Sequence, residues 1–225
     1  MEEQYLNILE AKLKPALGCT ELIAIALAGA IAAANSKGDW ITRIRVAASG
    51  NILKNAMAVI IPGTSDSGVQ LAVTLGVLSK KNATKELEVL ADVDQDMISE
   101  AKRLISLGWV HVEVADTNKK LYIEVDLHTR DDVVRAVIED QHTNLTVIEV
   151  NGENVYHKGN EASGDAGKEG DPSFMTLDGI FDFAETIPLE KLDLIRESIR
   201  MNRAICEEGL KNPYGLEVGR TAWKG

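Results

Sequence analysis

The chain has 225 residues, with 24 lysines and arginines against 35 acidic residues, so its formal net charge is −11. That balance speaks against nucleic acid and anionic lipid as partners, because both need a basic face. Apolar residues at 45% allow a proper core, and aromatics at 4% mean it is built from Ala, Val, Ile and Leu.

In chain order, a first helix is predicted over residues 4–13, closed by Pro15, and a second over 20–35, ending near Lys37-Gly38. The second is apolar nearly all round, which marks a central core helix. It does not read as a signal peptide or a membrane span: the flank Met1-Glu2-Glu3 is acidic, and the run is shorter than the roughly 20 residues a bilayer requires. Ala16-Leu17-Gly18-Cys19 faintly echoes a lipoprotein cleavage site, but the apolar run follows the cysteine instead of preceding it. Strands are predicted over 41–48 and 56–61, the latter stopped by Pro62-Gly63, then helices over 68–78 and 97–107. Asp92, Asp94 and Asp96 suit the positive end of that last helix.

The middle of the chain is strand-rich, with segments at 110–114, 121–127, 133–138, 145–150 and 155–157, and Asn151-Gly152 signals a hairpin. Residues 159–171, rich in Gly, Asp, Glu and Ala, read as a mobile surface loop. A short helix over 177–184 follows, then a long one from about Pro188 with Leu192, Ile195 and Ile199 as its buried stripe. Residues 219–225 show no clear terminal element. The fold class expected is α+β, helices packed on a mixed, largely antiparallel sheet, in one domain over 1–225.

Three signals fail on their spacing. The calcium-loop opening at Asp92 meets Met97 where glycine belongs and Arg103 where glutamate belongs. Gly167-Lys168 resembles the end of a phosphate loop, but Glu169 replaces the hydroxyl residue. The four histidines lie too far apart for a local zinc motif, and His111, His128 and His157 fall in or beside predicted strands, where a structural role is expected.

Lys14-Pro15-Ala16-Leu17-Gly18-Cys19-Thr20-Glu21 is the most informative stretch. Proline and glycine fix a turn, and Cys19 lands at a helix start, where backbone N–H groups and the dipole favour a thiolate able to act as nucleophile or metal ligand. A small buried cysteine is the alternative. The octapeptide resembles the signature of the family of anaerobic L-cysteine desulfidases and the alpha chains of iron–sulfur L-serine dehydratases. Further blocks resemble the same family in order and spacing. They are Ser49 to Asn55 with Pro62-Gly63-Thr64; His142-Thr143-Asn144; and Asn202, Glu208-Gly209-Leu210 and Gly215 to Gly219.

The resemblance implies a [4Fe–4S] cluster held by three cysteines, with one iron open to take the β-thiol or β-hydroxyl of L-cysteine or L-serine. Elimination would yield pyruvate, ammonia and sulfide or water. By position, Cys19 would be a cluster ligand. Asn51, Asn55, Thr64, Thr143 and Asn144 would bind substrate, and Lys54 and His142 would be catalytic, His142 as proton carrier. For Lys54 and Asn55 a solvated loop or strand edge is the alternative.

The resemblance also implies a chain about twice as long, whose C-terminal half holds the other cluster cysteines. This chain has two cysteines, and Cys206 is expected on the core face of the long helix. The chain alone is therefore expected to hold no cluster and to be inactive. It would be a truncated product, one subunit of a split enzyme needing a separate C-terminal half, or a remnant, the first two preferred. Two cysteines and the absence of targeting signals point to the cytoplasm. A homodimer is left open. The competing readings are a non-catalytic module that binds a small molecule or a protein, and a cluster-free enzyme with Cys19 as nucleophile.

Overall fold

The computed structural model describes residues 2–16, 18–57, 59–158, 172–213 and 217–224. The chain divides into two compact units, residues 16–161 and residues 1–15 with 162–225. The loop expected over 159–171 lies outside the described residues.

The larger unit holds the sheet. Its elements run α2 (Thr20–Asn35), β1 (Ile41–Ala48), α3 (Gly50–Ala56), α4 (Val69–Leu78), α5 (Gln95–Ser106), β2 (Val110–Val114), β3 (Tyr122–Thr129), β4 (Val133–Glu139), β5 (Leu145–Val150) and β6 (Glu153–His157). The α1 label belongs to Glu2–Lys12 in the other unit. The strand order is β2-β1-β3-β4-β5-β6. β1 and β2 pair in parallel and every other neighbour is antiparallel, so the expected mixed, largely antiparallel α+β fold is what forms.

The unit is built on α2. Leu22 through Ala33 are buried with Ile31 alone excepted, because the helix is enclosed between the sheet and α4. Small residues let α2 and α4 approach closely. A Cβ added to Gly76 would lie 2.0 Å from the Ala26 carbonyl oxygen, and one added to Gly29 would lie 2.8 Å from that of Val73. Alternation along the strands then sorts the sheet. Ile44, Val46, Ile123, Val125, Val134 and Ile138 are buried in the core shared with the helices. The opposite face carries a ladder of alternating charge, with Arg45 opposite Asp126, Asp126 opposite Arg135, and Arg135 opposite Glu149. Their contacts are 2.6, 2.8 and 3.3 Å, which keeps the nearly enclosed Asp126 carboxylate paired on both sides.

One polar tie closes the far end of α2. Asp132, in the β3–β4 hairpin, accepts hydrogen bonds from Ser36 Oγ at 2.6 Å, Lys37 N at 2.6 Å and Thr129 Oγ1 at 2.7 Å. Burial works to raise its pKa, but these bonds outweigh burial and hold it below the ordinary aspartate range. Elsewhere the Asp94 side chain caps α5 by accepting from Met97 N at 2.9 Å, the helix-start role expected of that acidic run. Asn151 and Gly152 take positive φ, +54° and +82°, as their hairpin requires.

The sequence reading needs correcting at 56–61. Among the described residues no strand forms there. α3 occupies 50–56, and beyond it only Ile60 makes an isolated bridge, to Ser67. Seven residues span two helical turns, too few for a 3.6-residue period to stand out from an apolar run.

The smaller unit is helical: α1, then α6 (Leu177–Thr186), α7 (Asp193–Lys211) and α8 (Val218–Lys224). Tyr5 is its buried centre, stacked on Phe183 at 4.8 Å and edge-on to Phe174 at 5.0 Å. Four expectations are overturned here. α7 starts at Asp193, after a 3-10 turn over Leu189–Lys191 to which Pro188 is the cap, and none of its residues is buried. Ile199 is 62% exposed, and Cys206 is exposed instead of occupying a core face. The C-terminal residues form α8, held to α7 by Arg220 Nε donating to the Leu210 carbonyl at 3.1 Å.

Two substitutions test this account. Gly76→Ala must push α4 off α2 and is expected to cost about 3 kcal/mol, read as a lower urea midpoint. Asp132→Ala is expected to cost about 2 kcal/mol at pH 7, since it removes three charge-assisted bonds. Because the folded pKa is depressed, this contribution is complete above the unfolded value near 4 and is lost as pH falls through the folded value. The gap between wild type and Asp132→Ala should therefore narrow below about pH 4.

Candidate functional site

A 16-residue helix is about 24 Å long, close to the length of a seven-residue strand. α2 is tied by its C-terminal end to the β3–β4 hairpin, so Cys19, its N-cap, lies toward the opposite end of the sheet. That end is where β1 passes into α3 and where β4 turns into β5 through residues 140–144. The Cys19, Asn51 to Asn55 and His142 to Asn144 blocks, 125 residues apart in sequence at their extremes, share it.

Direct contact joins two of them through Glu21. The Cys19 thiol donates to Glu21 Oε2 at 3.1 Å and Thr20 Oγ1 to the same oxygen at 3.2 Å. Asn55 Nδ2 donates to Glu21 Oε1 at 3.1 Å. Both carboxylate oxygens are engaged, and Glu21's pKa falls to about 2, chiefly through the Cys19 bond, with Asn55 and Thr20 adding to it. The thiol moves the other way. Partial burial and the bond to Glu21 raise its pKa, against the lowering expected from the helix start. Cys19 is therefore a protonated donor here, not an exposed thiolate.

Asn51, Lys54 and Asn55 fall at i, i+3 and i+4, one face of α3, with Ile52 and Ala56 buried on the other. Lys54 and Asn51 are exposed on this helix, which replaces the loop or strand edge considered for Lys54 and Asn55. Thr64 pins its own loop: its hydroxyl donates to the Ile61 carbonyl at 2.9 Å and accepts from Asp66 N at 3.0 Å. Asn144 closes the β4–β5 turn by donating to the Glu139 carbonyl at 2.8 Å, and it accepts from Lys158 Nζ at 2.9 Å. His142 and Thr143 are half-buried in that turn.

Glu21 is the residue the sequence reading passed over. In the sequence it stands only as the last residue of the octapeptide, yet it is the hub of the cluster; the signal for it is an acid in the first turn of a helix, two residues after a cysteine. A concavity of about 410 Å³ lies beside α3, lined by Leu53, Met57, Val69, Ile105 and the Asp66–Lys102 ion pair. Cys19 does not line it.

A cluster with an open iron needs three thiolates, and the chain has two cysteines. Among the described residues no group of three or more His, Cys, Asp or Glu side chains could hold a metal ion. The residues present thus offer one thiol to such a group and do not make up its ligand set.

No family model matches the chain, and neither does any solved structure. It is similar to the UPF0597 protein of Clostridium perfringens, 38% identical over 219 residues, which are 97% of this chain and 50% of that relative. The UPF0597 protein of Dichelobacter nodosus is 36% identical over 100% of this chain and 51% of its own length. That of Photobacterium profundum is 37% identical over 96% and 50%. The chain spans about half the length of the curated relatives it matches. These relatives, matched over nearly the whole chain, bear the name UPF0597 protein, and this overturns the assignment to the cysteine desulfidase and serine dehydratase family. The physical reason is visible in the fold. Two of the blocks behind that resemblance are a helix start and a β-turn, local features that short motifs specify whatever the chemistry.

Glu21→Gln tests the electrostatics of the site. Without the carboxylate charge the thiol pKa is expected to drop, raising the rate of Cys19 alkylation at pH 7 about three- to tenfold. An unchanged rate would mean that Glu21 does not hold the thiol proton.

Proposed function

We propose that the chain carries the substrate-facing part of a β-eliminating lyase for a small α-amino acid with a β-thiol or β-hydroxyl, such as L-cysteine or L-serine. The remaining catalytic groups would come from polypeptide that this chain does not span. The observation that carries the reading is the Cys19–Glu21–Asn55 cluster beside the exposed Lys54 and Asn51. An amino acid presents one carboxylate and one ammonium within a few ångströms. Lys54 and Asn51 would take the carboxylate, and Glu21, already anionic, would take the ammonium in place of the thiol proton. His142, in a turn at the same sheet end, is the proposed proton carrier, with Thr143, Asn144 and Thr64 shaping the surroundings. Cys19, freed of its bond to Glu21, would be available as one thiolate ligand to a [4Fe–4S] cluster completed elsewhere; when bound, such a cluster supplies a Lewis acid.

One observation favours a second reading, a binding module without catalysis. A carboxylate with a pKa of about 2 is a poor base, and a thiol pushed upward is a poor nucleophile. The same facts weigh against a cluster-free enzyme that uses Cys19 as nucleophile.

Among the described residues no helix is long and apolar enough to cross a membrane. Cytoplasmic residence is proposed on two unpaired cysteines, which a reducing compartment keeps as thiols.

The test is anaerobic co-production with the polypeptide that matches the unspanned half of the relatives, assaying pyruvate from L-cysteine and L-serine. Pyruvate release abolished by Cys19→Ser and lowered at least tenfold by Lys54→Ala is expected. Saturable amino-acid binding without pyruvate would favour the binding module, and neither binding nor turnover would sink both readings.

A further inference from the structure

The helical unit is short of a core. Among its described residues only Tyr5 and Ile187 are buried hydrophobics, while many of its large apolar side chains face solvent. α7 concentrates them. Leu194, Met201 and Ile205 recur at spacings of seven and four and fall on one flank, 37%, 40% and 69% exposed. Four of the charges elsewhere on α7 pair within the helix, Arg200 with Glu197 and Arg203 with Glu207. α6 adds Leu177 and Phe181, four residues apart, 77% and 67% exposed. A 19-residue helix with no buried residue does not hold its fold by propensity alone, because helical stability in proteins comes mainly from packing an apolar face.

We propose that the Leu194–Met201–Ile205 flank of α7 is a docking surface, and that its occupant is the polypeptide corresponding to the half of the UPF0597 relatives that this chain does not span. One fact chooses this occupant over a second copy of the chain: the relatives that match this chain along nearly all its length carry about as much sequence again. The interaction buries apolar surface and does not depend on the lyase reading.

The experiment adds the unspanned half of the Clostridium perfringens relative, produced separately, to this chain and measures mass by light scattering and affinity by titration. A one-to-one complex is expected, weakened at least tenfold by Met201→Glu and by Ile205→Glu. Both side chains are exposed, so neither substitution should lower the thermal midpoint of the chain alone, and circular dichroism checks this. Overturning results are no complex, a complex indifferent to both substitutions, or a symmetric dimer of this chain that forms through α7 and excludes the added half. Because the readout is mass and affinity, a complex that releases no pyruvate counts against the lyase reading and leaves the docking surface standing. Pyruvate release with unaltered affinity in both variants does the reverse.

Discussion

The contact between α2 and α4 is the constraint on which the larger unit depends. Two glycines, Gly29 and Gly76, bring the helices so close that a single added Cβ would strike the backbone of the other helix. This closeness encloses α2 on every side and makes an alanine-rich helix pay for its burial, since small side chains gain dispersion energy only when neighbours press against them. It also explains a core made with so few aromatics. Once α2 is fixed along the sheet, its ends are fixed too: the Asp132 tie defines one, and the Cys19 cluster occupies the other.

The chemistry of that second end follows from a competition. A helix N-terminus stabilises negative charge, and Cys19 and Glu21 both stand there. Only one can hold the charge cheaply. The carboxylate takes it, being the stronger acid, and the thiol keeps its proton as a donor to it. In the proposed function, a substrate ammonium that engages Glu21 would release Cys19 from its partner. An amide from α3 holds the same carboxylate on its other oxygen, so the relay joins two elements that are separate in sequence.

The two units differ in how complete they are. The sheet-bearing unit satisfies its buried apolar residues internally, down to charge pairs that shield Asp126 on the outer face. The helical unit centres on one tyrosine between two phenylalanines and leaves the long face of α7 uncovered. Helical periodicity is a statement about which side chains want company, not about whether this chain provides it. That is why the stripe at Leu192, Ile195 and Ile199 was readable while its burial was not. Cys206 fell into the same gap.

Local patterns determined much of the rest. The bounds of α2 and β1, the Asn151-Gly152 hairpin, the aspartate-led start of α5 and the α+β class were all legible, because each rests on interactions within a few residues or on a period the chain repeats. α3 was not, since seven residues show no period, and the loop after it imitated a strand by composition. Motif resemblance likewise misjudged kinship, because helix starts and turns are specified by the same few residue types in unrelated chains. Tertiary structure alone decided that Glu21 is the hub of the site, that Cys19 is a protonated donor and that Asn55 reaches it from another element. Burial, the direction of a pKa shift and the identity of a hydrogen-bond partner depend on what packs nearby across the fold, and a linear pattern does not carry that information.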